Sequence, residues 1–472
     1  MSASRALIER RAGGSEPVYG VNTGFGDLAN VRIGADRLAL LQERLLLSHA
    51  AGLGEPLPDG AVRAMLLLRA NALARGHSGV RPALVERLLA FLERDLLPVV
   101  PSRGSVGASG DLAPLAHLAL PVIGRGRLRR DGRVEPAADA LAAAGLEPLV
   151  LEAKEGLALI NGTQAITALL ALAALDARRL VRLADLAGAL STDALRGTDT
   201  AFDPRLHALR PYEGQRRSAE NLHRLLAGSE IRESHRHDDV RVQDPYCVRC
   251  MPQVHGASRE CLDDVERRLA VEINAVTDNP LVFPEDDAIL SGGNFHGQPV
   301  ALAAATLAIA VAELGSISER RIEKLTNAAF SALPPFLVED AGLNSGFMIA
   351  QVTAAALVSE NKTLCHPASV DSIPTSADKE DHVSMGMWGA LKLGQVVANV
   401  RRVLAIELVT AAQGIDLLRP LRSSEPLEAL HAALRRRIEP WLEDREMAPD
   451  LEAAVAFLGD PDGLAPHLER LV

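Results

Sequence analysis

Aromatic side chains are scarce here: nine phenylalanines, three tyrosines and two tryptophans make up 3% of 472 residues. A body with so few rings must pack through small aliphatic groups. Ala and Leu, with Arg and Glu, dominate the composition, and few stretches alternate with the two-residue period of a strand. The chain therefore reads as one large, mainly α body. Cysteine is scarce too. Cys247, Cys250, Cys261 and Cys365 are too few for a disulfide framework at this length. Cys247 and Cys250 have CxxC spacing, but no second pair accompanies them. Two reduced thiols are the reading, and a reducing cytoplasm the expected compartment. Positive charge is in deficit: 50 Lys and Arg stand against 61 Asp and Glu, for a net charge of −11 and a pI near 5.7. That balance speaks against nucleic acid or an anionic membrane as partner and fits a small-molecule substrate. The longest apolar run, residues 299–311, is too short to span a bilayer and is followed by Glu313, so it reads as a core helix. Arg5, Arg10 and Arg11 come without an apolar h-region, which argues against a signal peptide. No internal repeat or low-complexity segment is present.

What is present is Gly104-Ser-Val-Gly-Ala-Ser-Gly-Asp-Leu-Ala-Pro114, with Ala108-Ser109-Gly110 at its centre. Three small residues in a row allow close backbone approach and strained dihedrals. One chemistry needs both. In a compressed loop the amide nitrogen of Gly110 can attack the carbonyl carbon of Ala108, closing a five-membered ring through Ser109. Loss of water from the ring, and of the Ser109 hydroxyl as a second water, leaves a methylidene-imidazolone, an electrophile that no ordinary side chain supplies. An ordinary Gly/Ser loop is the plainer reading of the stretch. A phosphate cradle would need a cation where Asp111 stands. An acyl-transfer serine in G-x-S-x-G fails because Ser105 and Ser109 have the wrong spacing. Asp111-Leu112-Ala113-Pro114 resembles a first helical turn, which would set the loop at the positive end of a helix.

Along the chain, helices are expected over residues 2–11, 36–51, 60–74, 81–95, 112–123, 161–191, 259–277, 299–325, 345–362 and 380–413. Residues 124–135, with Asp131-Gly132, read as a small hairpin. Residues 19–26 form a Gly-rich loop that could fold over a ligand. Residues 203–241 are polar, without a clear apolar period, and read as loop and short helices. Residues 425–472 read as two or three amphipathic helices around Pro449 and Pro461. Two parts are expected: residues 1–200, helical and carrying the small-residue loop, and residues 201–472, a central long-helix bundle with C-terminal helices, continuous with the first.

The run from Gly104 to His117 resembles the signature of the aromatic amino acid ammonia-lyases. The resemblance extends from about Tyr19 to about Leu417, and Ser48-His49 and Glu380-Asp381-His382 are similar to the histidine-acting branch of that family. It implies a long-helix bundle of the ammonia-lyase (fumarase/aspartase-like) type with very little β. It also implies non-oxidative removal of ammonia from L-histidine to give trans-urocanate, the first step of histidine degradation. The cofactor implied is 4-methylidene-imidazol-5-one (MIO), made from Ala108, Ser109 and Gly110, with no external cofactor and no metal. The partner implied is a second copy, in a homotetramer with shared active sites. Helices such as residues 299–325 also have too little polar surface to face water.

The same resemblance gives roles. Arg249 suits the substrate carboxylate, which a guanidinium binds bidentately. Tyr246 is the expected base, with Tyr19 the other proton-transfer phenol. A phenol titrates at about 10 and needs help to act as a base. Asn161 and Gln243 carry amides for the ring oxygens and the carboxylate. Phe295 would pack on the imidazolone. Glu380 and His49 would read the two nitrogens of an imidazole. The sequence departs from the family pattern in three places. Ahead of the Tyr19 loop the family usually has a further N-terminal segment with a short strand, whereas here Met1 lies close to Tyr19. Asp378-Lys379 replaces Asn-Gln before Glu380, and Met387-Trp388 adds bulk after Ser384-Met385. Three alternatives stay open: a tyrosine or phenylalanine lyase or aminomutase of this family, a fumarase/aspartase-like enzyme, whose G-S-S-x-M-P-x-K-x-N loop is missing, and an inactive helical scaffold.

Overall fold

The computed structural model describes residues 1–107, 109–237, 239 and 241–472. It is 62% helix and 7% strand, so helices build the core and the strands only trim its loops. This is the mainly α, long-helix architecture expected from the sparse aromatics and the abundant Ala and Leu. Two compact units can be distinguished, each assembled from three stretches of chain.

The first unit comprises Met1–Leu172, Glu266–Ala305 and Pro367–Leu391. Its helices Leu38–His49, Asp59–Ala74, Pro82–Glu93 and Leu112–Ala119 lie within a few residues of their expected bounds. Pro82 at the first helical position and Asp59 in a first turn are the usual starting signals. The expected hairpin is made of Arg127–Arg130 and Arg133–Pro136, antiparallel, with Leu128 opposite Glu135. Asp131 and Gly132 turn it with φ of 51° and 75°, the left-handed pair that a two-residue hairpin requires. Leu97–Pro98 adds a third strand beside Arg127–Arg130. One apolar cluster gathers Leu7, Ile8, Val21, Leu38, Ala153 and Val282, fastening the N-terminal helix Ser2–Ala12 to the rest of the unit.

The second unit comprises Ala173–Val265, Thr306–His366 and Lys392–Val472. Residues 392–417, in the helix Gly386–Leu417, bury Leu393, Val396, Val400, Val403, Leu404 and Leu408, which point to more than one side of the helix. Within the unit Arg321 and Glu407 form a bidentate pair at 2.5 and 2.8 Å, both side chains without exposure. Ser191 and Ser318 hydroxyls donate to the same carboxylate at 2.7 and 2.5 Å.

Residues 203–241, read as loop and short helices, include the helix Glu213–Leu226. Its buried stripe is Gln215, Ser218, Ala219, Leu222, Leu225 and Leu226, a helical spacing whose first members are polar. Ser218 and Asn221 donate to the buried Asp185 at 2.6 and 2.8 Å, so polar residues occupy an inward face and hide the apolar period. Residues 380–385, read as the start of a helix, are not helical. The helix begins at Gly386, because Met385 is left-handed at φ 54°. The helix Gln298–Thr326 is long and apolar enough to cross a membrane by length and composition. More than half of its apolar window is buried, with Val300, Ala304, Leu307 and Leu314 at most 1% exposed, which is the profile of a core helix.

Removing one partner of a fully buried pair leaves an uncompensated charge, at a cost of about 3–5 kcal/mol, whereas replacing both by apolar groups is close to neutral. Glu407→Ala should therefore lower the thermal midpoint strongly, and Arg321→Met/Glu407→Leu should recover most of the loss. Equal losses in the two variants, measured by thermal unfolding, would contradict this account of the core.

Candidate active site

The small-residue loop is gripped from three sides within the first unit. Gly107 and Gly110 pair across an antiparallel bridge, so the chain between them is folded back on itself. Gly110 also bridges to Gly162 in parallel, and Asp111 N–H donates to Gly162 O at 2.7 Å. A Cβ at position 110 would stand 2.0 Å from Gly162 O, and one at 107 would stand 2.0 Å from Ser384 Oγ. Both glycines are left-handed, at φ 75° and 72°, so no other residue fits either place. Ser109 is left-handed as well, at φ 51°. Ala108, expected to supply the ring carbonyl, lies outside the described residues.

Asp111 fastens the loop to the next element. Its Oδ1 accepts from Ser105 Oγ and its Oδ2 from the Ile166 amide, both at 2.9 Å. It has no exposure. Burial raises its pKa to about 7, outweighing those hydrogen bonds, and Glu272 pushes the same way. Sequence reasoning saw in Asp111 only an early helical acid. The signal available was its place against a glycine loop, where a carboxylate has backbone amides to accept from.

Ser109 opens on a cavity of about 1000 Å³ whose lining residues all belong to this unit. Tyr19, His49, Asn161, Phe295 and Glu380, five of the expected site residues, line it too. They come from the Gly-rich loop, the last residue of Leu38–His49, the end of Glu155–Ile160, the segment before Gln298, and the segment before Gly386. Glu380 faces Ser109 directly: Ser109 Oγ donates to Glu380 Oε1 at 3.0 Å, and Thr375 Oγ1 donates to Oε2 at 2.8 Å. Thr375 and Glu380 also pair through both backbone groups across a turn in which Ser376, Ala377 and Asp378 are all left-handed. Three such non-glycine residues in a row store strain beside the cavity. His296 and His382, missed as site residues, stack at 6.0 Å on the cavity wall, with His296 Nε2 donating to His382 O at 3.1 Å. Their neighbours in the motifs were recognised, and the pairing itself is a tertiary contact.

Two titrations in the cavity have stated directions. Burial lowers the His49 pKa below 6.5, against the Leu45 backbone and Glu380, so His49 is neutral at pH 7. Its Nδ1 lies 3.0 Å from Ser48 Oγ. Burial raises the Tyr19 pKa above 10, Glu380 raises it further, and the Gly26 amide opposes them. The phenol of Tyr19 is thus a poorer base here than in water.

Gln243, Tyr246 and Arg249 belong to the second unit and do not line this cavity. Gln243 and Arg249 line another, of about 570 Å³, with Arg232, Arg236 and Arg241. Tyr246 is 70% exposed, with the Arg249 guanidinium 4.6 Å from its ring centre. The cations on the Ser109 cavity, apart from its histidines, are Arg44 and Lys379, both exposed. Among the described residues no group of three or more His, Cys, Asp or Glu could hold a metal ion. Among the described residues no cysteine is in a disulfide.

The chain is similar to known proteins over nearly its whole length. Residues 1–436 match the family model described as aromatic amino acid lyase. The histidine ammonia-lyase of Anaeromyxobacter sp. (strain K) is 58% identical over 469 residues, covering 98% of this chain and 92% of that protein. The crystal structure of histidine ammonia-lyase from Trypanosoma cruzi superposes with a TM-score of 0.92 at 47% identity, covering 99% of this chain and 88% of the other. Tyrosine aminomutase from Streptomyces globisporus superposes with a TM-score of 0.94 at 38% identity, covering 99% and 92%.

The raised pKa of Asp111 makes a stability prediction. The folded state binds its proton up to about pH 7, while the unfolded chain releases it near 3.8. The stabilisation is full below the lower value, is lost as pH rises, and is gone above the higher one. Asp111→Asn keeps the shape without the charge. Its thermal midpoint relative to the parent should rise from pH 5 to pH 7 and level off above about pH 8. A pH-independent difference between the two would show that Asp111 is ionised throughout.

Proposed function

The chain belongs to the aromatic amino acid lyase family, and within it we propose non-oxidative deamination of L-histidine to trans-urocanate and ammonia, the first step of histidine degradation. The observation that carries the substrate is that His49 and Glu380 line the same cavity as Ser109. A benzene ring would bring the half-buried Glu380 carboxylate and His49 imidazole no new polar partner and would displace water from both, and desolvating polar groups without compensation costs more than a lost contact. An imidazole offers each of them a ring nitrogen. The tyrosine aminomutase has the same fold, so architecture alone does not choose the substrate, and the alternative is a tyrosine or phenylalanine lyase or aminomutase of this family.

The residues around Ser109 fit a cyclised Ala108-Ser109-Gly110. Gly107 and Gly110 pair across a bridge, Gly110 has no space for a side chain, and the Ser109 hydroxyl faces the cavity wall at Glu380. When formed, MIO supplies an electrophilic carbon that takes the amino nitrogen and makes it a better leaving group. The chain's own residues do the rest. Glu380 and His49 hold the side chain, Phe295 packs the wall, and Asn161 bounds the cavity on the Glu155–Ile160 side. Tyr246 is the base in this reading and Tyr19 the second phenol. Arg249 holds the carboxylate, with Gln243 beside it.

Tyr246, Gln243 and Arg249 would reach a Ser109 cavity from a neighbouring subunit of a homotetramer. The exposure of Tyr246 and the shortage of inward cations on the Ser109 cavity support that reading, as do Leu302 and Ile309, exposed on an apolar helix. The acidic, reduced-thiol composition supports a cytoplasmic enzyme.

Ser109→Ala should keep the fold and abolish turnover, and its intact mass should lack the loss of two waters that the parent shows. The parent should deaminate histidine with a far higher kcat/KM than phenylalanine, and Glu380→Gln should harm histidine more than phenylalanine. Lys379→Gln is the companion, because an ammonium beside Glu380 could hold it from substrate. Equal kcat/KM for histidine and phenylalanine in the parent would end the histidine assignment.

Shared sites make a separate prediction. Ser109→Ala and Arg249→Ala should each be inactive alone, and subunits of the two mixed by unfolding and refolding should regain activity. No recovery in mixed tetramers would place Arg249 in the site of its own chain.

A further inference from the structure

Asn161 ends the helix Glu155–Ile160, lines the cavity and is 3% exposed. At that burial each polar atom needs a partner. Its backbone N–H donates to Leu157 O at 3.0 Å, and its backbone carbonyl accepts from Arg69 Nη1 at 2.9 Å. Its side-chain NH2 donates to Asn279 O at 2.9 Å and to Asp278 Oδ1 at 3.3 Å. A backbone carbonyl and a carboxylate only accept, so turning the amide over would set oxygen against oxygen. Oδ1 is what remains. It is buried and has no partner among the described residues.

Asp278 is itself anchored. Its Oδ2 accepts from Lys154 Nζ at 2.6 Å, with both side chains at zero exposure, and its Oδ1 also accepts the Asn279 amide at 2.7 Å. A buried pair of this kind adds little net stability. What it does give is a fixed carboxylate direction, and the amide of Asn161 takes its orientation from that carboxylate.

We propose that Asp278, anchored by Lys154, is a positioning residue that locks the amide of Asn161 with its carbonyl oxygen turned to the cavity, as acceptor for the substrate's α-amino group. This rests on the lyase reading above and assigns a part of the substrate to a residue whose role that reading left general. A carbonyl oxygen accepts an N–H and has nothing to accept from an ionised carboxylate. An amino nitrogen held through an N–H keeps its lone pair free to form a bond elsewhere. The carboxylate is then left to a cation.

Binding to a protein that cannot turn over separates these roles. In the Ser109→Ala background, calorimetry would give Kd for L-histidine and for 3-(imidazol-4-yl)propanoate, which lacks only the amino group. Adding Asp278→Asn frees the Asn161 amide. It should weaken L-histidine about tenfold, the loss of one hydrogen bond, and leave the propanoate within about twofold. Because Asp278→Asn alone strands the buried Lys154, the pair Lys154→Met/Asp278→Asn is measured beside it, and the same split is expected. If both ligands weaken alike, or neither changes, the positioning role is overturned while the histidine reading stands. If the Ser109→Ala parent binds neither compound, the histidine reading fails, and the proposal falls with it.

Discussion

The contact between Gly110 and Gly162 is the constraint that the rest of the site depends on. Two backbones meet where a single methyl group would stand 2.0 Å from a carbonyl oxygen. That closeness sets the small-residue loop against the segment between Glu155–Ile160 and Gln164–Ala194. Asp111 completes the junction with one oxygen on Ser105 and the other on the Ile166 amide. The junction lets a turn with left-handed residues at 107, 109 and 110 persist, although each such non-glycine residue costs about 1–3 kcal/mol. Strain of this kind persists only where the surroundings over-determine it. Here they do, through two bridges and a buried carboxylate.

The same segment serves two purposes. Gly162 receives the loop, and Asn161, one residue earlier, faces the cavity. Arg69 reaches both Asn161 O and Gln164 Oε1, tying the two ends of the segment to the helix Asp59–Ala74. Burial lowers the pKa of Arg69 to about 10, which still leaves it charged, with Asp278 as its counter-charge. Anchoring of this density, charge against backbone carbonyl against amide, holds catalytic geometry more tightly than a surface loop could. The opposite wall is built differently, from the strained turn at residues 376–378, where Thr375 and Ser109 fix the two oxygens of Glu380.

Much of this was legible in the sequence, because composition and punctuation act locally. Ala- and Leu-rich periodicity gave most helices within a few residues, and Asp131-Gly132 gave the hairpin. The glycine run pointed to the reactive loop because glycine adopts a left-handed, closely packed backbone at least cost. Where inward-facing residues are polar, helix bounds are not legible, as in Glu213–Leu226, whose Ser218 and Asn221 face the buried Asp185. Periodicity counts apolar residues, and a satisfied polar core leaves no such trace. The segment before Gly386 failed for another reason: residues 376–378 and Met385 take left-handed backbones with no glycine to announce them. Lys154 and Asp278 stand 124 residues apart, and nothing local in either stretch reveals that they pair.

Electrostatics in the Ser109 cavity constrains the division of labour. A phenol serves as a base when a cation lowers its pKa, and for Tyr19 burial and the Glu380 carboxylate both work in the other direction. Tyr246 stands elsewhere, exposed and with a guanidinium 4.6 Å from its ring centre. The two phenols are therefore not interchangeable. Tyr19, buried beside a carboxylate, is suited to donate a hydrogen bond and stay protonated. Tyr246 carries a cation wherever it goes, and that cation is also the one suited to the substrate carboxylate. Within residues 243–249, Asp244, Cys247 and Val248 are buried and hold the segment, while Gln243 and Tyr246 are exposed. The proposed base and the proposed carboxylate anchor therefore stand on one anchored segment, and in the proposed function substrate recognition and proton removal are coupled by geometry.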